Sequence, residues 1–329
     1  MSSTRRHALL GALAATVPLG GCGARPLSRA LLPDAEDGAF PPPVLGVLDL
    51  DGTALGGDGL SGLDLRADPP GGAALTAVGD RGSWSTARLR LDDRGAPLEL
   101  EVPVTGRLRG ADGRPLAGTW QADAESLARL PDGGWLVGFE RWHRILRYDR
   151  IDGPGRVVTT PPGLEQAPAN GGLESLGVLA DGRVLAIAEQ LPAAGDPDLR
   201  AAWIGRWQNR HALSWQRLAY RAAPGFHPTD LCGLPDGGAL VVERSFAIPV
   251  GFGGRLMRLR PAALRAPAEN AVLVAEPVLD LLPPLPTDNW EGVSVFRHGN
   301  RLLAGLVSDD NAFALQRTLL MLLDLGEAN

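Results

Sequence analysis

Acidic side chains recur in this chain at matched places. Glu125 and Glu140 bracket "ESLARLPDGGWLVGFE", and Glu174 and Glu189 bracket "ESLGVLADGRVLAIAE". Asp230 and Glu243 flank a similar turn at 227–246, and Glu291 and the pair Asp309, Asp310 bracket a fifth at 289–311. A first segment, 60–84, ends on Asp80 but has Ser61 where the others begin on an acid. Carboxylates gathered in one place repel one another, so they either hold protons or attract cations. Asp, Glu and Asn are hard oxygen donors that suit Ca²⁺ first and Mg²⁺ second. Glu125, Glu174, Asp230 and Glu291 are therefore the candidate metal ligands. Asp80, Glu140, Glu189, Glu243, Asp309 and Asp310 form a secondary acidic ring, with Asn170, Asn289 and Asn311 beside it. Arg81, Arg141 and Arg244 directly follow acids and are an internal source of positive charge. Glu–Arg pairs of this kind also serve as plain ion pairs at strand ends.

The elements that carry these acids read as strands. The segments alternate with period two on both sides of a turn, Asp-Gly in the second to fourth and His-Gly in the fifth, the pattern of a tight hairpin. A third strand follows in each: "ARLRLD", "RILRYD", "WIGRW", "GRLMRLR" and "RTLLMLLDL". A fourth follows in all but the last: "LELEVPV", "RVVTTP", "LSWQRLAY" and "AVLVAEPVLDL". Four-stranded units in tandem are propeller blades. The expectation is an all-β propeller of five blades, or six if 93–120 or 262–288 hides another. The strand "VLGVLDLDG" at 44–52 is free to complete the last blade and close the ring from the N-terminus. In a hairpin the turn lies at the far end, so both bracketing acids share the near end. Blades pack around an axis, so these acids converge on one face, around the mouth of a central channel. The turn residues Asp132, Asp181 and Asp236 fall on the opposite face, where turn chemistry accounts for them.

Composition narrows the chemistry. Gly (43) and Pro (28) make up more than a fifth of the 329 residues, which suits many short elements. The net charge is −6 without a basic run, against a nucleic-acid partner. The chain has no lysine, so Schiff bases and phosphate-loop lysines are excluded. Residues 1–22 read as an export signal: Arg5 and Arg6 form a twin-arginine start, and "LGGC" at 19–22 resembles a lipobox with Cys22 as the lipidated residue. Its apolar stretch is short for a bilayer span of ~20 residues. Residues 23–43 read as a tether and 44–329 as the fold. The expected location is outside the cytoplasm, with membrane contact by lipid alone. Cys232 in "DLCGL" reads as a buried, inert thiol.

The short motifs "NWEGV", "LVSDDN" and "QRTLL", with "ESL" and "ER" in the earlier repeats, resemble the phytase-like family, "esterase-like activity of phytase". The resemblance covers roughly residues 45–325. It implies a repeated β fold rich in Glu and Asp, and hydrolysis of a small phosphorylated molecule. On that reading divalent ions clamp a phosphoryl group and activate water, Arg141 and Arg244 hold phosphate oxygens, and His227, or His143, is the general acid. Two other readings use the same face: a non-catalytic propeller that binds a ligand or partner, and a lactonase with one metal held by Glu, Asn and Asp. "DLDGT" at 49–53 matches the haloacid-dehalogenase phosphatase signature, with Asp49 as nucleophile and Asp51 as acid. That family needs strands alternating with helices and usually a lysine. "GDGLSG" at 57–62 precedes a strand, so it is no dinucleotide fingerprint. The serine-hydrolase elbow Gly-x-Ser-x-Gly is absent. Trp84, Trp142 and Trp290 stand near the acidic ends; blade packing explains most of the eight tryptophans.

Overall fold

A computed structural model describes residues 26–31, 40–57, 59–193, 195–249, 251–311 and 316–327. The segment expected to be an export signal, residues 1–22 with Cys22, lies outside these. Five sheets form five blades, antiparallel throughout except for one short parallel strand at the edge of blade three. Their innermost strands are Gly62–Ala67, Ala124–Arg129, Ser175–Val178, His227–Gly233 and Asn289–His298. Each of these contacts the innermost strands of the two neighbouring blades, and blade five contacts blade one, which closes the ring.

The ring closes as the sequence suggested. In blade five the strands Asn289–His298, Arg301–Asp309 and Leu319–Glu327 are completed by Val44–Leu50, and Ser28–Leu31 adds an outer fifth. Joining the two ends of the chain in one sheet gives the propeller a closure made of backbone hydrogen bonds. Leu48 of this closing strand is fully buried with Leu63, Leu65, Leu303 and Leu320, on the face toward blade one. The strands are buried on both faces because each sheet packs between two others, so several read as near-continuous apolar runs.

A sixth blade is not found among the described residues. Segment 93–120 supplies the fourth strand of blade one, Pro97–Leu100, and a short strand Val104–Arg107 on the third strand of that blade. "AVLVAEPVLDL" is not one strand. Val272–Val274 runs parallel to the outer edge of blade three, and Glu276–Leu281 is the fourth strand of blade four. Pro277 lies next to a register shift between the two halves of that pairing, in keeping with proline's place at edges and bulges.

The far-face turns behave as their sequence implies. Asp132 and Asp236 accept from the amides of Gly134 and Gly238 at 3.1 and 2.8 Å, and Asp181 from Arg183 at 3.1 Å. Gly133, Gly182 and Gly237 hold the left-handed conformation these turns need. The dehalogenase-like motif is corrected by its surroundings. Asp49 lies on the closing strand and pairs with Arg29 at 3.1 Å, and Asp51 caps a turn through the Thr53 amide at 3.0 Å. No helix follows it; the only helical pieces among the described residues are Thr119–Ala122, Leu164–Gln166 and Pro261–Arg265. None of the described helices is long and apolar enough to cross a membrane. Cys232 is shielded, and burial pushes its thiol pKa far up, as expected of an inert side chain.

Candidate functional site: an acidic ring at the channel mouth

One pairing recurs in every blade between the first and second strands. It is Gly62↔Val78, Ser126↔Gly138, Ser175↔Ile187, Asp230↔Val242 and Gly292↔Val307. One residue before the first member stand Ser61, Glu125, Glu174, Thr229 and Glu291. Two residues after the second member stand Asp80, Glu140, Glu189, Arg244 and Asp309. In blades two, four and five the register shifts by one at this point, a β-bulge at Glu125, Thr229 and Glu291. A bulge re-aims the extra side chain and bends the strand end.

These two sets make the ring, and they correct the sequence reading of blade four. Its two ring positions are Thr229 and Arg244, not Asp230 and Glu243. Each predicted acid is one residue out of register, and in a strand one residue turns the side chain to the other face. Asp230 instead accepts the Val293 amide at 2.7 Å, fastening blade four to blade five. Glu243 accepts the Tyr220 hydroxyl at 2.8 Å within the interface with blade three. Thr229 also fastens blade five, donating to the Trp290 carbonyl at 2.9 Å. Asp310 turns to Thr318, 3.1 Å away.

Seven carboxylates and one guanidinium thus share the ring. Arg244 donates to Glu291 at 2.6 Å, to Glu189 at 3.1 Å and to Oδ1 of Asn289. Blade four supplies the counter-cation where the other blades supply acids. The opposite arc is more negative. Oxygens of Asp123, Glu125 and Glu140 lie within 4.8 Å of one another, and so do oxygens of Glu140, Glu174 and Glu189. The two triads share Glu140. One of its oxygens accepts the amides of Gly171 and Gly172 at 2.6 and 2.5 Å, which fixes its direction. Oε2 of Glu174 is buried and has no hydrogen-bond partner. Gly59, at φ +84°, passes so close to Asp309 that a side chain there would collide with it. Ser61 donates to Asp80, filling the place of the missing acid in blade one.

The electrostatics follow from crowding without water. Burial first, then the charges of Asp80, Glu140 and Asp123, pushes the Glu125 pKa well above the carboxylate range. Burial and then Glu189 and Glu291 do the same to Glu174. Glu140 is raised to about 8 by burial, against its two amide bonds. Asp309 is raised to about 8 by burial and Asp80, and Glu291 to about 7 by burial, against Arg244. These groups bind more protons folded than unfolded, so stability of the cation-free protein falls as pH rises. For Glu140 and Asp309 the loss starts at the unfolded values near 4 and is complete above about 8. Melting in chelator is therefore expected to be higher at pH 5 than at pH 8, with added divalent cation closing the gap at pH 8. Equal melting temperatures at both pH values would contradict this.

A divalent cation fits this arc. The donors are all carboxylate oxygens, two triads are close enough to share an ion each, and one buried oxygen lacks any other partner.

The family model of the phytase-like proteins, "Esterase-like activity of phytase", matches residues 56–312. The match spans every ring position. The chain belongs to the phytase-like family. Solved structures similar to it include the gluconolactonase XC5397 of Xanthomonas campestris, at 13% identity and TM-score 0.43, covering 92% of this chain and 100% of that one. Another is the α-L-arabinofuranosidase PaAbf62A of Podospora anserina, at 14% identity and TM-score 0.49, covering 92% and 96%. A third is the aldose sugar dehydrogenase of Streptomyces coelicolor, at 14% identity and TM-score 0.38, covering 87% and 100%. None of the three bears on the chemistry of the ring. No curated protein matches the chain.

The remaining candidates of this phytase-like protein distribute as follows. Arg141 stands beside the first triad with its Nε on Asp123 and its side chain about a third exposed. Its backbone is left-handed, φ 52°, and its amide donates to the Ala169 carbonyl at 3.0 Å. His227 pairs with Arg244 across the blade-four hairpin, and its Nδ1 is 3.4 Å from the Glu189 carbonyl. His143 packs against Gly172, behind the amides that hold Glu140, with Nε2 3.3 Å from the Ala167 carbonyl. Asn289 is tied to Arg244, and Trp290 is core. Asp123 was not singled out from sequence. It stands two residues before Glu125, the place His227 and Asn289 hold in blades four and five, and that alignment was its signal.

Proposed function

We propose that this phytase-like propeller is a divalent-cation-dependent phosphoester hydrolase acting at the mouth of its channel. The observation that carries the reading is the pair of carboxylate triads joined through Glu140. Two triads with one common carboxylate would suit two neighbouring divalent ions, held by Asp123 and Glu125 on one side, Glu174 and Glu189 on the other, and Glu140 between them. Ca²⁺ is the ion best matched to many flexible carboxylate donors, with Mg²⁺ second. When bound, such ions supply Lewis-acid polarisation of the phosphoryl group and a more acidic water.

The chain's own side chains divide the remaining work. Arg141, already oriented through Asp123, presents its free guanidinium edge to a phosphoryl oxygen. His227 keeps Nδ1 toward the Glu189 carbonyl and leaves Nε2 for proton transfer to the leaving oxygen. Arg244, engaged by three oxygens, supplies the positive charge on the blade-four side and holds Glu189 and Glu291 in position. A lactonase with one ion on Glu, Asn and Asp is less well served, because the buried Asn289 oxygen is taken by Arg244.

The test compares 4-nitrophenyl phosphate with a simple γ-lactone, each with and without chelator. Phosphoester turnover that chelator stops and Ca²⁺ or Mg²⁺ restores is expected, and Arg141→Met should lower kcat/KM on the order of 100-fold, the loss of a charge-assisted contact to phosphate. Turnover of the lactone alone, or phosphoester turnover indifferent to chelator, would sink the proposal.

A further inference from the structure

On the outer side of blade two, against the 110–116 segment, lies a cavity of about 360 Å³. Leu116, Leu146 and Val157 give it apolar walls, and Gln121, Trp142 and Arg144 line it as well. Its volume is in the range of small-ligand sites, ~300–1,000 Å³. Trp142 is 51% exposed, whereas Trp203 and Trp290 are fully buried, so blade packing does not account for it.

Arg144 explains how this indole is held. Its guanidinium lies 4.7 Å from the Trp142 ring centre and 4.2 Å from that of Phe139. It donates to the Trp142 carbonyl at 2.9 Å and to the Gln121 carbonyl. Arg144 is itself buried and has no carboxylate partner among the described ion pairs. A cation against an aromatic face fixes that ring and leaves the rest of its surface for a ligand. Immobilising the indole beforehand removes part of the ordering cost of binding.

Position links this platform to the ring. Trp142 is two residues from Glu140, so their Cα atoms are at most ~7 Å apart. Arg141, the phosphoryl contact of the proposed reaction, stands between them. We infer that Trp142 and its groove bind the planar aromatic group of an aryl phosphoester while the phosphoryl end lies at the Glu140 triads. This rests on the phosphoester reading for the phosphoryl end only; the ring-binding half stands on the groove.

The test uses ligands that cannot turn over. Phenylphosphonate and methylphosphonate are titrated into the Ca²⁺-loaded protein, and 2-naphthol, which has no phosphoryl group, is titrated separately. Phenylphosphonate is expected to bind about tenfold more tightly than methylphosphonate, the scale of one aromatic stacking contact. Trp142→Ala should erase that preference and the binding of 2-naphthol, and Trp142→Phe should keep both, which separates stacking from a general disturbance of the groove. A Trp142-dependent affinity for 2-naphthol with no affinity for either phosphonate supports the groove and defeats the phosphoester reading. Equal affinity for the two phosphonates, or ring binding unchanged in Trp142→Ala, overturns the inference.

Discussion

Glu140→Gln is expected to weaken divalent-cation binding by at least about 10-fold, as removing a directly ligating group should cost no less than the loss of an outer partner. Both triads lose their common member at once. The fold should survive, because the amide oxygen of Gln can still accept the Gly171 and Gly172 bonds that Glu140 accepts now. In chelator the substitution should even stabilise. The Glu140 pKa is raised to about 8 by burial and by its acidic neighbours, so at pH 8 its charge is a burden on the folded state. A gain of a few degrees in Tm without cation, together with loss of the Tm gain on adding Ca²⁺, is the expected pair of results. Calorimetric titration and thermal melts of the two proteins measure both. A variant that binds Ca²⁺ as the natural chain does would remove Glu140 from the site.

Arg244→Met should have the opposite sign. It strips the counter-cation from Glu189 and Glu291, both buried, and leaves the Asn289 oxygen unpaired. Breaking a buried pair from one side costs about 3–5 kcal/mol, which at ~2–4 °C per kcal/mol is a drop on the order of 10 °C in Tm. Met keeps much of the volume, so the loss is electrostatic rather than a cavity. The three oxygens that now face the guanidinium would then face one another, a ready place for one more divalent ion. Excess Ca²⁺ is therefore expected to recover most of the lost Tm, with one added ion bound per chain. An equal loss of Tm with and without Ca²⁺ would mean that Arg244 is packing, not charge balance.

The two effects turn on the same physics: the ring has more carboxylates than its single guanidinium can neutralise. The position equivalent to Glu140 carries an acid in four blades and Arg244 in blade four.

Much of this was legible in the sequence, and the failures have a common cause. The hairpin period and the Asp-Gly turns located the blades, and the missing fourth strand of the last one pointed to Val44–Leu50 as the closure. The repeats in blades two and three have equal length from acid to acid, so Glu125, Glu140, Glu174 and Glu189 fell into place. Blade four failed because acids do occur near both positions. Only the strand pairing, with its bulge at Thr229, reveals that Asp230 and Glu243 are each one residue off. A bulge has no distinctive sequence signature here, and without it the face of every nearby side chain is ambiguous. The division of 271–281 between two blades was hidden for a similar reason: an apolar run does not say which sheet edge it joins. Arg244 was identified as a cation near the ring, but its role as the residue standing in an acid's place required the register.

The measurement closest to the central claim is calorimetric titration of Ca²⁺ into the chelator-stripped protein at pH 8, paired with its melting curve. Two ions bound per chain near or below ~1 mM, within the span of known calcium sites, with a rise in Tm, is the predicted result. No heat and no change in Tm would contradict it, and would leave the acids neutralised by their protons and by Arg244 alone.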